Sequence, residues 1–300
     1  GIRHALFVGP NSGYGLDNRC LLDTLARGAG RFKGIAVVRN DTGRDELLAL
    51  REQGVIGVAF NATVMGVEHY ATGTAPLLRT QGLASGRRLT EITLDFCRHL
   101  GIEARVLPMS DDPVRTIVNT ESGAMSFQDY FMELKCDPAV RSFQYGGADE
   151  ARLSDEALDA LHARDLEAVV LCPCNPYHTM HPILAVGGMR EALRKRGAPV
   201  IAVSPIIGGR ALQGSAAKMM REQGREVTPR AVAMEYYKLI DGIVIDSADE
   251  ALAEGIKASG FQVLVAPTFM RNAEDRLRLA RSVLEYARGV RLRREAATEI

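Results

Sequence analysis

Tryptophan is absent from the 300 residues, and so is any excess of one charge, because 37 Lys and Arg balance 37 Asp and Glu. A chain without net charge has no bulk attraction to nucleic acid or to an anionic membrane surface, so neither partner is expected. No apolar run approaches the roughly 18 residues that a membrane-spanning helix needs. The opening stretch GIRHALFVGP has no long apolar core and no small-residue cleavage site, so a secretory leader is not expected either. Cysteine is sparse, with five residues at 20, 97, 136, 172 and 174. An odd, scattered set builds no disulfide framework, and a reducing cytoplasm is the simplest setting.

Several catalytic signatures are missing too. GPNSGYGLDN (9–18) sets Gly9, Gly13 and Gly15 between a strand and a helix, yet it has neither G-x-G-x-x-G spacing nor G-K-[ST]. No H-x-H on the first strand, no H-E-x-x-H and no Ser-His-Asp arrangement is present, so zincin and hydrolytic-triad chemistry have no support. The run VVLCPCNPYHTMHPILA (169–185) carries Cys172, Cys174, His178 and His181, but C-x-C-x₃-H-x₂-H is a poor match to zinc spacing.

What is present is ordinary globular composition, 46% hydrophobic and 25% charged, in a chain long enough for a sizeable core. Short apolar runs alternate with amphipathic stretches, the pattern of an α/β fold: a Rossmann-like, mostly parallel sheet with helices on both faces. Strands are expected at 5–10, 34–38, 55–61, 167–172, 199–205, 241–247 and 261–268. Helices are expected at 17–28, 44–54, 182–197, 216–223, after the Thr228-Pro229 cap, and over 272–289, with a weakly helical tail. Ser247 and Glu250 have capping-box spacing. Residues 105–150 show few helix signals and read as a strand-rich insertion, with the aromatics of SFQDYF (126–131) in extended structure.

Ligands of open parallel sheets sit beyond the carboxyl ends of strands. Three loops qualify: 173–182, the SPIIGG stretch Ser204–Gly209, and Ser247–Asp249. The first two are rich in Ser, Asn, Pro and Gly, which suit close approach of an anion, and Lys218 in the next helix is placed to neutralise one. Ordinary connecting turns and a solvated lysine explain the same residues equally well. PMSDDPVRT (108–116) offers adjacent carboxylates, Asp111 and Asp112, for a divalent cation or a substrate hydroxyl, although Asp-Pro turns are common without function.

From about residue 80 to 290 the chain resembles the 2-phospho-L-lactate transferase (CofD-like) family. The resemblance rests on RRLTEIT (87–93), VLPMSDDPVRT (106–116), FQDYF (127–131), NPYHTMHPILAVGGMREAL (175–193), APVIAVSPIIGGRALQGSAAKMM (198–220) and DGIVIDSADE (241–250). It implies a transferase of coenzyme F-420 biosynthesis. Such an enzyme moves a phospholactyl or phosphoenolpyruvyl group from a guanosine-diphosphate-activated donor to the deazaflavin Fo, with Mg²⁺ and release of GMP. It further implies that Cys174, Asn175, Pro176, Ser204, Pro205, Gly208, Gly209 and Lys218 hold the nucleotide. Met109, Ser110, Pro113, Phe127 and Gln128 would line the deazaflavin, and Asp111 and Asp112 would be catalytic. A homodimer is compatible with the resemblance.

Residues 1–80 depart from that family, with no GGTGG-type phosphate loop and no metal aspartates, and they resemble an internal fragment of a metal-dependent amidohydrolase. The chain thus reads as a 1–80 fragment joined to an 81–300 transferase-like domain. A non-catalytic nucleotide-binding protein of the same fold is the alternative, and an amidohydrolase the weaker one. Where the family reads G-P-S-N-P, this chain has C-P-C-N-P, which exchanges a serine hydroxyl for the weaker donor of Cys174.

Overall fold

A computed structural model of the protein describes residues 5–8, 32–38, 44–53, 55–60, 74–99, 101–102, 104–211 and 214–298. The glycine loop 9–18 and the helix expected at 17–28 lie outside the described residues. The chain packs as two compact units, one of residues 1–111 with 271–276 and the other of residues 112–270 with 277–300.

In the first unit, β1 (Ala5–Val8), β2 (Phe32–Val38) and β3 (Val55–Phe60) form a parallel sheet in the order β1-β2-β3. The helix Arg44–Glu52 links β2 to β3 and buries Leu50. Two further helices, Thr74–Ala84 and Leu89–His99, approach closely at Gly82, where an added Cβ would stand 2.7 Å from Ile92 Cδ1.

The second unit is built on a four-stranded parallel sheet in the order β12-β11-β8-β7. Its strands are β7 (Val169–Leu171), β8 (Val200–Val203), β11 (Gly242–Ile245) and β12 (Gln262–Val265). The central strands VIAV and GIVI are buried at every position, which is why they are unbroken apolar runs rather than alternating ones. Leu279, Val283, Ala287 and Val290 of the long helix Ala273–Thr298 recur at helical spacing and pack on Ile201, Val203 and Val244. That helix continues to Thr298, through most of the tail expected from the sequence to be only weakly helical.

The 105–150 section is strand-rich as expected. β4 (Arg115–Thr120) pairs antiparallel with both β5 (Gly123–Ser126) and β6 (Val140–Gly146). SFQDYF, however, forms the helix Phe127–Met132, with Ser126 Oγ accepting the Asp129 N–H at 3.0 Å. The helix expected at 182–197 is also not continuous. A π-helical turn (Pro176–Met180) leads into His181–Ala185, and Met189–Lys195 follows after a break. The break is tertiary in origin: the Gly187 N–H donates to Ala151 C=O at 3.2 Å and Gly188 takes φ +86°. After β11, Asp246 rather than Ser247 is the cap, since its carboxylate accepts the Ala248 N–H at 2.9 Å. The Thr228 cap is as expected, Oγ1 accepting from Ala231 N–H at 3.1 Å.

Candidate functional site

Because β7, β8, β11 and β12 are parallel and in near-level register, their carboxyl ends share one edge of the sheet. The loops after them gather candidate groups there. After β7, Asn175 is buried and its side-chain oxygen accepts the Tyr177 N–H at 2.9 Å, starting the π-helical turn. Its Nδ2 lies 3.1 Å from Met219 Sδ, fixing the loop against the helix Ala216–Glu222. Pro176 is buried beside it. Burial, with Cys172 nearby, pushes the Cys174 thiol up to about 12, so it stays protonated.

After β8, buried Ser204 closes a turn on itself, its Oγ accepting the Ile206 N–H and donating to the Ile206 carbonyl, both at 3.1 Å. Pro205 is half-buried. The residues IIGGRA are not a plain loop into a helix. β9 (Ile206–Ile207) and β10 (Arg210–Ala211) pair antiparallel across Gly208 and Gly209, whose φ angles are +55° and +72°. Two successive left-handed residues make a type I′ hairpin turn, the geometry that calls for glycine at both places. Both glycines are exposed, and an added Cβ on Gly208 would meet no atom within 4 Å.

The Gly208 N–H donates to Asp249 Oδ2 at 3.0 Å, which joins the loop after β8 to the loop after β11. Burial, and Asp246 nearby, raise the Asp249 carboxyl above the ordinary carboxylate range. Burial would raise Asp246 as well, but the N–H groups of Ala248 and Thr268 and the Thr268 hydroxyl more than offset it and hold that carboxyl low.

Lys218 is not free to meet a phosphate. Its ammonium donates to Pro138 C=O at 2.9 Å and to the Tyr130 hydroxyl at 3.2 Å, and it pairs with Glu222 at 2.5 Å. Phe127 and Gln128 open the helix of the antiparallel insertion, Phe127 half-buried and Gln128 exposed. The Phe127 ring stacks on His178 of the π-helical turn. Pro113 is exposed, and its carbonyl faces Gly147, where any Cβ would collide with it.

The adjacent aspartates are held by different partners. Asp111, in the first unit, accepts the Thr90 N–H at 2.7 Å and Arg88 Nη1 at 3.3 Å, and so caps the helix Leu89–His99. Asp112, in the second unit, is exposed and accepts the Arg152 N–H at 3.0 Å. In the first unit, Met109 is half-buried and Ser110 is buried.

An aromatic cluster beside the site went unread in the sequence. Phe143 stacks on Tyr177 at 5.5 Å, and the Tyr145 hydroxyl donates to Tyr177 C=O at 2.5 Å. The Tyr177 hydroxyl donates to Glu235 at 3.3 Å. His181 Nε2 lies 3.4 Å from the other Glu235 oxygen, but burial and Arg190 hold the imidazole near 4. It is therefore neutral at pH 7, and its buried Nε2 makes no hydrogen bond. Among the described residues, no group of three or more His, Cys, Asp or Glu is placed to hold a metal ion. No helix among them is long and apolar enough to cross a membrane.

These features define an α/β protein with a parallel sheet whose strand-end loops gather at one edge. Residues 36–276 match the family described as 2-phospho-L-lactate transferase CofD. The chain belongs to that family, which is a family of transferases. It is 34% identical to a phosphoenolpyruvate transferase of Streptomyces griseus, over 82% of this chain and 78% of that one. It is 36% identical to a 2-phospho-L-lactate transferase of Methanosarcina mazei, over 70% and 68%. In fold it is similar to two crystal structures of a UPF0052-family protein from Bacillus halodurans. These have TM-scores of 0.54 and 0.50 and 15% identity, and cover 93% of this chain and 99% of that one. The amidohydrolase origin expected for residues 1–80 is not borne out, because the transferase-family match already begins at residue 36.

Proposed function

We propose that the protein transfers a phospholactyl or phosphoenolpyruvyl group from a guanosine-diphosphate-activated donor to the hydroxyl of the deazaflavin Fo, releasing GMP, in coenzyme F-420 biosynthesis. The observation that carries the reading is the convergence of Asn175–Pro176, the Gly208–Gly209 turn and Asp249 on the carboxyl edge of the sheet, within a chain of this transferase family. The donor's phosphates lie along that edge, where two glycines leave the backbone open to close approach. Phe127, with Gln128 beside it, presents a ring to the planar acceptor, and Asp112 is the carboxylate of the second unit that orients the attacking hydroxyl.

The described residues do not form a resident cation cage. A magnesium ion needs only one or two protein carboxylates when phosphates supply its other ligands, so Mg²⁺ enters as the counter-ion of the donor. In the reaction the acceptor oxygen forms a bond to phosphorus, the phosphoanhydride bond to GMP breaks, and the hydroxyl proton leaves to base or solvent.

The test is to incubate the purified protein with Fo, Mg²⁺ and, in separate reactions, the lactyl and the enolpyruvyl donor, and to follow GMP. Release of GMP that depends on Fo is expected with one donor or both. Donor binding with no release in either reaction would leave a nucleotide-binding protein without this chemistry.

A further inference from the structure

The two carboxylates that follow β11 take part in no bond-making step of the proposed reaction, yet their geometry is specific. β11 lies between β8 and β12 in the sheet. Asp246 reaches toward the β12 side, where Thr268 donates its N–H at 2.7 Å and its hydroxyl at 3.0 Å. Asp249, one turn further on, reaches toward the β8 side and takes the Gly208 N–H at 3.0 Å. Both are buried, Asp246 at 8% and Asp249 at 5% exposure. Asp246, the cap of one short 3₁₀ segment (Ser247–Leu252), and Asp249 within it thus tie down the strand-end loops on either side.

The two ties differ in what they hold. Thr268 is itself buried, so Asp246 satisfies donors that would otherwise be stranded in the interior, which is a matter of stability. Gly208 is exposed, and the space around its Cα is open. Its N–H points inward to the buried Asp249 carboxylate while the rest of the turn lies at the surface, so what the bond adds is a fixed orientation of the turn. A left-handed two-glycine turn is among the most conformationally free pieces of backbone, and pinning one of its N–H groups removes most of that freedom before a ligand arrives.

We propose that Asp249 is a positioning residue for the donor: by holding the Gly208 N–H it pre-orders the Gly208–Gly209 turn that faces the nucleotide phosphates. This rests on the assignment of that turn to the donor. Asp249→Ala raises the KM for the guanosine donor about tenfold, the equivalent of one lost hydrogen bond to a charged group, and leaves kcat and the KM for Fo near those of the parent. Asp249→Asn, whose amide oxygen still accepts, restores the parent KM. A carboxylate displaced by one methylene in Asp249→Glu raises it again.

Steady-state kinetics with donor and acceptor varied separately, alongside amide exchange at Gly208, tests this. Faster exchange at Gly208 together with the raised donor KM supports the proposal. Should Asp249→Ala fail to fold, Asp249→Glu carries the test, and a parent-like donor KM there overturns the proposal. Gly208→Val separates the two readings. If it leaves the donor KM unchanged, the turn does not face the donor. If it raises the donor KM while Asp249→Ala and Asp249→Glu do not, only the positioning role falls.

Discussion

The rings of Phe127 and His178 lie face to face, their centroids 4.4 Å apart and their planes 20° from parallel. The contact joins the first residue of the insertion helix to the π-helical turn after β7, two segments 51 positions apart in sequence. His178 is held near 4 by burial, so its ring is neutral and packs as an aromatic rather than as a cation. His178→Ala leaves one face of Phe127 unsupported and is expected to raise the KM for Fo several-fold with kcat little changed, while His178→Phe keeps the stack and the parent KM. Kinetics with Fo varied at saturating donor reads this. A similar loss in both variants would show that the imidazole itself, not its ring face, matters.

Lys218 marks the boundary between stability and binding. Its contacts with Tyr130, Pro138 and Glu222 bridge the helix Ala216–Glu222 to the antiparallel insertion. Glu222 also accepts the Val140 N–H at 3.1 Å, so the ammonium anchors a carboxylate that is itself holding β6. Lys218→Met is expected to lower stability by about 1–3 kcal/mol, through one lost charge pair and two lost hydrogen bonds. The donor KM stays close to that of the parent. Urea unfolding and donor kinetics on the same preparation decide it: a raised donor KM at unchanged stability would return Lys218 to the phosphate.

The parts of this fold that were legible in sequence are those that local chemistry determines. VIAV and GIVI read as buried strands because burial on both faces demands continuous apolar runs. Thr228-Pro229 read as a helix start because its cap is made three residues away. The failures have tertiary causes or competing local ones. The break at Val186–Gly188 depends on Ala151, and Lys218 depends on partners 80 and 88 positions away, neither of which a periodicity can report. Gly208–Gly209 suits an open loop or a type I′ turn by composition alone, and only the pairing of Ile206–Ile207 with Arg210–Ala211 picks the turn. In SFQDYF the aromatics suit a strand, but Ser126 and Asp129 have the spacing of a capping box, and that local cap sets the helix. For Asp246 and Asp249 the sequence DSADE offers several caps, and burial picks between them.

Cys174 stands where the resembled family has serine. Its thiol is pushed up to about 12, so at pH 7 it is neither a reactive thiolate nor a strong hydrogen-bond donor. If this loop meets the donor's phosphates, Cys174→Ser supplies a better donor in nearly the same volume. The donor KM is then expected to fall by a factor of about two to ten. Alkylation of the parent by iodoacetamide under native conditions is expected to be slow at this residue. A higher donor KM in Cys174→Ser would mean that the thiol is there for packing beside the loop, and that the phosphates lie elsewhere.

Acid is expected to destabilise the fold well above the carboxylate range, because two half-buried histidines are held in neutral form. His178 and His181 sit near 4 in the folded protein against an ordinary 6.5, from burial in both cases and with Arg190 adding to it at His181. Between those values the unfolded chain binds more protons than the folded one, so stability falls as pH falls. The contribution is fully present above pH 6.5 and is lost through the window down to about 4, at up to roughly 1.4 kcal/mol per pH unit for each histidine. Asp246, whose carboxyl lies below the ordinary range, adds a loss of the same sign only at lower pH. Urea unfolding in steps from neutral pH to about pH 4.5 measures the slope. In the double variant His178→Phe, His181→Phe the two rings still fill their places against Phe127 and Tyr177 but no longer titrate, and the profile flattens over that window. An equally steep profile in the double variant would place the acid sensitivity in other groups.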